Sequence, residues 1–407
     1  MEEIFIIHNG EVVLPDKVLS QGAVVLEGNL IREICSKGQW EDRYPGVRTL
    51  DVQGNYIFPG FIDIHSDNIE TVIQPRPQSM IDFELAMREQ EKQLVNQGIT
   101  TMFHSLSMTN GNVRANRSSL RTPENLTKLA GLIRRFHEGD HLIRHRFHCR
   151  YDITNLDCYP LLLEFIRRGD MQLLSFTDHT PGQGQYRDLE FFKQRVMAQD
   201  QSDEEKERIL RQRMERAKLT AQQLEEAADL AAEKGIAIAS HDDDSLEKLE
   251  YVTSSLHAGI CEFPVELDVA RAAREKGMQV VVGATNVLMG RSHSNNLSAK
   301  EAIREGCADI LVSDYFPPAL LHAVFRLWEE GMLTLPQAVN MTSRNPARAV
   351  GIGQWTGSIE EGKCGDLLVV GKKDGLPVIL QVFINGQMVS NLCYRNDFIR
   401  EDGTRYD

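Results

Sequence analysis

No stretch of this 407-residue sequence approaches the roughly 18 consecutive apolar residues that cross a bilayer. Its start, MEEIFIIHNG, carries acids where a secretory leader needs a basic segment. Both absences point to a soluble cytoplasmic protein with no membrane partner. The seven cysteines lack CxxC or zinc-finger spacing, which fits a reducing compartment and buried thiols rather than a disulfide framework. Basic charge is scarce too: a formal net charge of -14 argues against general nucleic-acid binding. It leaves room for a local basic pocket, which an anionic substrate would require.

Several catalytic loops are also missing. No G-x-G-x-x-G follows the first strand, and Gly182-Gln183-Gly184 comes after a later strand without the third glycine. There is no G-x-S-x-G elbow for a serine nucleophile and no H-x-E with P-C-x-x-C of the zinc deaminases. GSIEEGKC, Gly357 to Cys364, nearly spells a phosphate-binding loop, but it ends in Cys and runs into the strand-like GDLLVV where that loop needs a helix. Metal-activated water is the nucleophile that remains.

What is present is a large apolar share, 42%, enough for a sizeable core. Residues 1–57 read as short strands with a Gly28-Asn29 turn, and 355–407 return to that style with turns at Asp374-Gly375 and Asn385-Gly386. The two ends together predict a small β-sandwich domain. Between them, 58–354 alternate strand and helix. Apolar strands recur at GFIDIH, TTMFHS, HRFHCRYD, LLSFTDH, IAIASHD, ICEFP, VVVGAT and ILVSDY. Eight such strands predict a (β/α)8 barrel of the TIM type, with its active site at the carboxyl ends of the strands; a doubly wound sheet is the alternative. Residues 187–234, rich in charge, read as a solvated helical excursion, more simply a charged helix pair than a lid.

His, Asp and Glu cluster at those strand ends. His65 and Asp67 stand two apart on one strand, so both side chains project to one face and can grip one ion. Asp178-His179 ends the fourth strand, His241 the fifth and Asp314 the eighth. Any one of these alone reads as a hydrogen-bonded structural residue; their convergence on one rim makes a metal centre the better reading. Asp152, ending the third strand, is the candidate for a carboxylate bridging two ions. Strand alternation puts His148 and Arg150 on its face. Imidazoles with carboxylates suit one or two divalent ions, zinc, manganese or iron, and an Asp in place of a second His makes the site harder and more tolerant of manganese or magnesium. Asp242, Asp243 and Asp244 precede the helix-like SLEKLEYVTSSL and are assigned to its cap. Glu262, ending the sixth strand, reads equally well as ligand or structural residue.

These stretches resemble the amidohydrolase superfamily: NYIFPGFIDIHSDN its entry into the first barrel strand, EEGKCGDLLVV its flanking sheet, and VSDY its eighth-strand aspartate. More narrowly, HSDN, TDHTPGQ, ASHDD, RSHSNN and SDYFPPALL are similar to its phosphonate-metabolism branch, over roughly Ala23 to Gly386. That resemblance implies a metal-dependent diphosphatase of the carbon-phosphorus lyase pathway, cleaving α-D-ribose 1-methylphosphonate 5-triphosphate to the 5-phosphate and pyrophosphate. It implies His65, Asp67, Asp152, His179 and His241 as metal ligands and Asp314 as the residue that accepts or orients the proton of the attacking water. Arg76, Arg150 and Arg291 are then the cations for the phosphates, with His293 a donor. The partner expected is a small phosphorylated sugar, and homo-oligomerisation stays open. Two other functions fit the same frame: hydrolysis of a cyclic amide or N-acyl substrate, and a non-catalytic barrel scaffold.

Overall fold

The computed structural model describes residues 3–109, 120–196, 202–290 and 296–394. Arg291 and His293 lie outside them. The chain opens with strands β1 (Ile4–Val13), β2 (Val18–Glu27), β3 (Leu30–Cys35), β4 (Arg48–Asp51) and β5 (Tyr56–Pro59). Eight strands follow, β6 (Phe61–Ser66), β7 (Ile99–Met108), β8 (Arg144–Asp152), β9 (Leu173–Thr177), β10 (Ala237–His241), β11 (Ile260–Glu262), β12 (Gln279–Gly283) and β13 (Ile310–Val312). The chain then returns with β14 (Leu367–Lys373), β15 (Leu376–Ile384) and β16 (Gln387–Asn391).

Strands β6 to β13 pair in sequence order, all parallel. A parallel bridge between Ser66 and Asp314 joins the last strand to the first, so the ring closes as a (β/α)8 barrel. Barrel strands are covered on both faces, which is why β7 is buried at every position although it carries Thr, His and Ser as well as apolar residues. Both termini supply the second sheet, in the order β16-β15-β14-β5-β1-β2-β3 with β4 beside β1. Its hairpins turn at Gly28, Asp374-Gly375 and Asn385-Gly386, all at positive φ.

Gly60 is where the chain leaves the sheet for the barrel. A Cβ there would sit 2.4 Å from the side chain of Thr100, so the two backbones approach only because the residue is glycine. The helices between strands are set by ordinary chemistry. Thr122 caps Pro123–Glu138 by accepting from Asn125 N, and the helix buries Leu126, Leu129, Ala130, Ile133 and Phe136 as one stripe. Among the described residues, three α-helices lie between β9 and β10. Leu189–Val196 and Asp203–Met214 are the charged pair expected there, while Ala221–Glu233 buries Leu224, Ala227, Ala228 and Ala231 against the core as a regular barrel helix.

Candidate active site

The carboxyl ends of the barrel strands bring the expected side chains together in two layers. The deeper layer is buried. His65, near the end of β6, sets Nδ1 2.8 Å from Glu262 Oε1 at the end of β11. His148 Nε2, from β8, is 3.9 Å from the same oxygen and meets Ser175 Oγ of β9, which donates to Glu262 Oε2 at 2.7 Å. His65, His148 and Glu262 each offer a ligand atom, and these lie within 4.8 Å of one another. Burial keeps the imidazoles neutral: it takes His65 well below its usual range, and takes His148 down to about 3 despite the pull of Glu262. Neutral imidazole is the form that binds metal.

The outer layer faces the mouth. His179 Nδ1 is 2.8 Å from Asp152 Oδ2, whose other oxygen accepts from Thr154 N and Oγ1. The ring of His241 lies 5.4 Å from that of His65, and its Nδ1 is 2.9 Å from Asp242 Oδ2, near enough for an ion pair though misaligned for a hydrogen bond. Arg150 Nη2 approaches His241 Nε2 at 3.3 Å. Asp67 and Asp314 meet where the ring closes, with Asp67 N donating to Asp314 O at 2.8 Å and Asp314 N to His65 O at 3.0 Å. Asp314 holds a φ of 60, a left-handed backbone uncommon outside glycine.

Charge in this mouth is unbalanced. Burial and then the facing carboxylate of Asp67 push Asp314 up to about 7, against the pull of Arg150. Burial opposes ionisation of Asp242 as well, but His241, His179 and Lys248 outweigh it and bring that carboxyl down to about 2. Asp152, Asp242 and Glu262 are buried, with Asp67 and Asp314 partly so, which is more carboxylate than Arg150 and Lys248 can offset. Carboxylates crowded into a largely buried mouth, beside neutral imidazoles within ligand distance, are the donor set a divalent cation fits.

One expectation is corrected. Asp242, Asp243 and Asp244 do not cap the following helix; its N-cap is Ser245, which accepts from Lys248 N, and the three acids are turned into the loop. Asp178 faces away to Lys218 Nζ at 2.7 Å. Arg76 is exposed in the turn after the helix Asn68–Ile73, and no described side-chain contact ties it to the cluster. Sequence reasoning left Glu262 undecided, although it anchors the deeper layer, and passed over Ser175, whose signal was the inward phase of β9 that it shares with Thr177 and Leu173.

The model of the Amidohydrolase family matches residues 56–389. Among curated proteins, α-D-ribose 1-methylphosphonate 5-triphosphate diphosphatase of Escherichia coli (strain K12) is 34% identical over 396 residues, covering 94% of this chain and all of that one. Among solved structures, a Xaa-Pro dipeptidase with bound methionine in the active site superposes with a TM-score of 0.64 at 14% identity, over 95% of this chain and 99% of that one. Dihydropyrimidinase from Brevibacillus agri does so with a TM-score of 0.59 at 14% identity, over 95% of each. The last two share the fold. The chain belongs to the amidohydrolase family, on the branch that includes the Escherichia coli diphosphatase.

Proposed function

We propose that this chain is a metal-dependent diphosphatase that hydrolyses α-D-ribose 1-methylphosphonate 5-triphosphate to the 5-phosphate and pyrophosphate. The observation that carries the reading is Arg150: a guanidinium is drawn into the ligand layer beside His241, where a neutral amide substrate would need none. The end-to-end likeness to the Escherichia coli enzyme supports it.

His65, Asp67, Asp152, His179 and His241 are the residues we assign to one or two divalent ions, with His148 and Glu262 in reach of the deeper position. A divalent cation there supplies positive charge against the phosphoryl oxygens and brings the pKa of a water towards neutrality. Asp314, at the ring closure beside Asp67, takes the proton of the attacking water. The new bond joins that oxygen to the α-phosphorus, and the bond from the α-phosphorus to the bridging oxygen breaks in line. Pyrophosphate leaves with the bonding pair, and Arg150 faces the charge that gathers on the oxygens.

Steady-state kinetics of Arg150→Met test this reading. On the ribose phosphonate triphosphate, kcat/KM should fall by about 10²-fold, the scale of losing one charge-stabilising donor in a closed site. A chain that turns over a cyclic amide or N-acyl substrate, and does so equally well with Met at 150, would replace the reading with the amide alternative.

A further inference from the structure

The loops that follow β9 and β10 are clasped together from behind the site. Asp242, Asp243 and Asp244 turn three ways. Asp242 faces His241, while Asp244 Oδ2 accepts from Gly184 N at 2.6 Å and ties the two loops to each other. Asp243 is fully buried and accepts from Ser240 Oγ and from Cys261 Sγ at 3.3 Å. Lys248, one turn into the next helix, reaches back over them. Its Nζ lies 3.1 Å from Asp243 Oδ1 and donates to the carbonyl oxygens of His241 at 2.8 Å and Asp242 at 3.2 Å. The two carbonyls take two of the three ammonium protons, and Asp243 Oδ1 lies within ion-pair reach without an aligned hydrogen bond.

Asp242 needs holding. Its φ of 52 is a left-handed conformation that a non-glycine residue adopts at a cost, and such a residue persists only where its surroundings over-determine it. We propose that Lys248 is a positioning residue: by fixing the carbonyls of His241 and Asp242 it aims the His241 imidazole and the Asp242 carboxylate into the metal centre. It touches neither substrate nor ion. A merely structural lysine would serve to neutralise the buried Asp243, and the two roles separate cleanly in a double substitution that removes both charges.

The inference rests on reading the cluster as a metal centre, so the test is read on the metal. Lys248→Met, Lys248→Arg and the pair Lys248→Met with Asp243→Asn are compared with wild type for Zn²⁺ affinity, the visible spectrum of the Co²⁺-loaded chain, and kcat and KM on the triphosphate. Thermal unfolding checks that each is folded. The double variant should fold and still bind Zn²⁺ about 10- to 100-fold more weakly, the range seen when a residue behind a metal ligand is lost. Its Co²⁺ spectrum should shift, and kcat should fall more than KM rises. If the double variant does not fold, Lys248→Arg carries the same expectation, since it keeps the charge facing Asp243 and misplaces the donors. Wild-type Zn²⁺ affinity and spectrum in either folded variant would overturn the proposal. Wild type that binds Zn²⁺ but leaves the triphosphate intact sinks the substrate assignment alone. Wild type that binds neither ion overturns both.

Discussion

Single residues decide the site, and they differ in how plainly the sequence declares them. His65, Asp152 and His241 lie within their strands, so their inward direction follows from the two-residue period, whereas Asp67, His179 and Asp314 fall just past the strand ends, where the loop backbone sets their direction. Glu262 ends the three-residue strand ICE, yet one carboxylate after two apolar residues offers no period to read; only the fold shows that it reaches His65 on the far side of the ring. Asp242 to Asp244 misled because acids before a helix usually cap it, and here Ser245 takes that role. Removing the negative charge of Glu262 as Gln should lower Zn²⁺ affinity about 10- to 100-fold with the fold intact, as measured by competition with a chelating dye. Unchanged affinity would move the ion to the outer layer. Gly184 is a second test at this scale. Its φ is 53 and a Cβ would come within 3.1 Å of the Asp242 carbonyl, so Gly184→Ala should cost about 1–3 kcal/mol by urea unfolding.

At the scale of elements, most of the fold was legible. All eight barrel strands coincide with the strand-like runs read in the sequence, because each carries apolar residues into the core even where, as in β7 and β8, polar side chains are buried beside them. Less legible was how helices dock. The helix Phe83–Asn96 is held to the barrel by Glu91, which lies 3.1 Å from His141 Nδ1, accepts from Leu142 N at 3.1 Å and lies 3.4 Å from His145 Nε2. His145 Nδ1 in turn meets His104 Nε2 of β7 at 2.9 Å. No spacing rule joins residues so distant in sequence. Burial opposes ionisation of Glu91, but the two histidines and the Leu142 amide outweigh it and lower its pKa. Burial lowers both His145, partly offset by Glu91, and His104, which falls well below its usual range. The signs agree. Glu91 contributes stability above the unfolded carboxyl value of about 4.3 and loses it as pH falls through its lower folded value. His104 and His145 hold fewer protons folded than unfolded, so each costs stability as pH falls below about 6.5. The Tm should therefore drop between about pH 7 and pH 5 in scanning calorimetry, and His104→Gln should flatten that drop. A Tm independent of pH across that window would contradict this account of the docking.

For the whole molecule, a largely buried ion pair ties the barrel to the terminal sheet beside their shared apolar core. Arg144, at the start of β8, grips Asp366 through two bonds of 2.7 and 3.1 Å and lies over the ring of Trp355 at 5.2 Å. Asp366 also accepts from Thr356 Oγ1 at 2.7 Å and Asn385 N at 3.0 Å, so it gathers the returning chain onto the amino end of the barrel. Asp366→Ala leaves a guanidinium buried without its anion and should cost about 3–5 kcal/mol, read by denaturant unfolding. The β-rich character of both ends was visible from hairpin turns, whereas this pair, 222 residues apart, was not. The central claim is hydrolysis of a triphosphate at this barrel mouth. Phosphorus NMR of the zinc- or manganese-loaded chain with α-D-ribose 1-methylphosphonate 5-triphosphate tests it most directly, run beside Asp314→Asn. Pyrophosphate and a 5-phosphate should appear with wild type, and at least about 10²-fold more slowly with the variant. Intact triphosphate over a chain shown to hold its metal would contradict it.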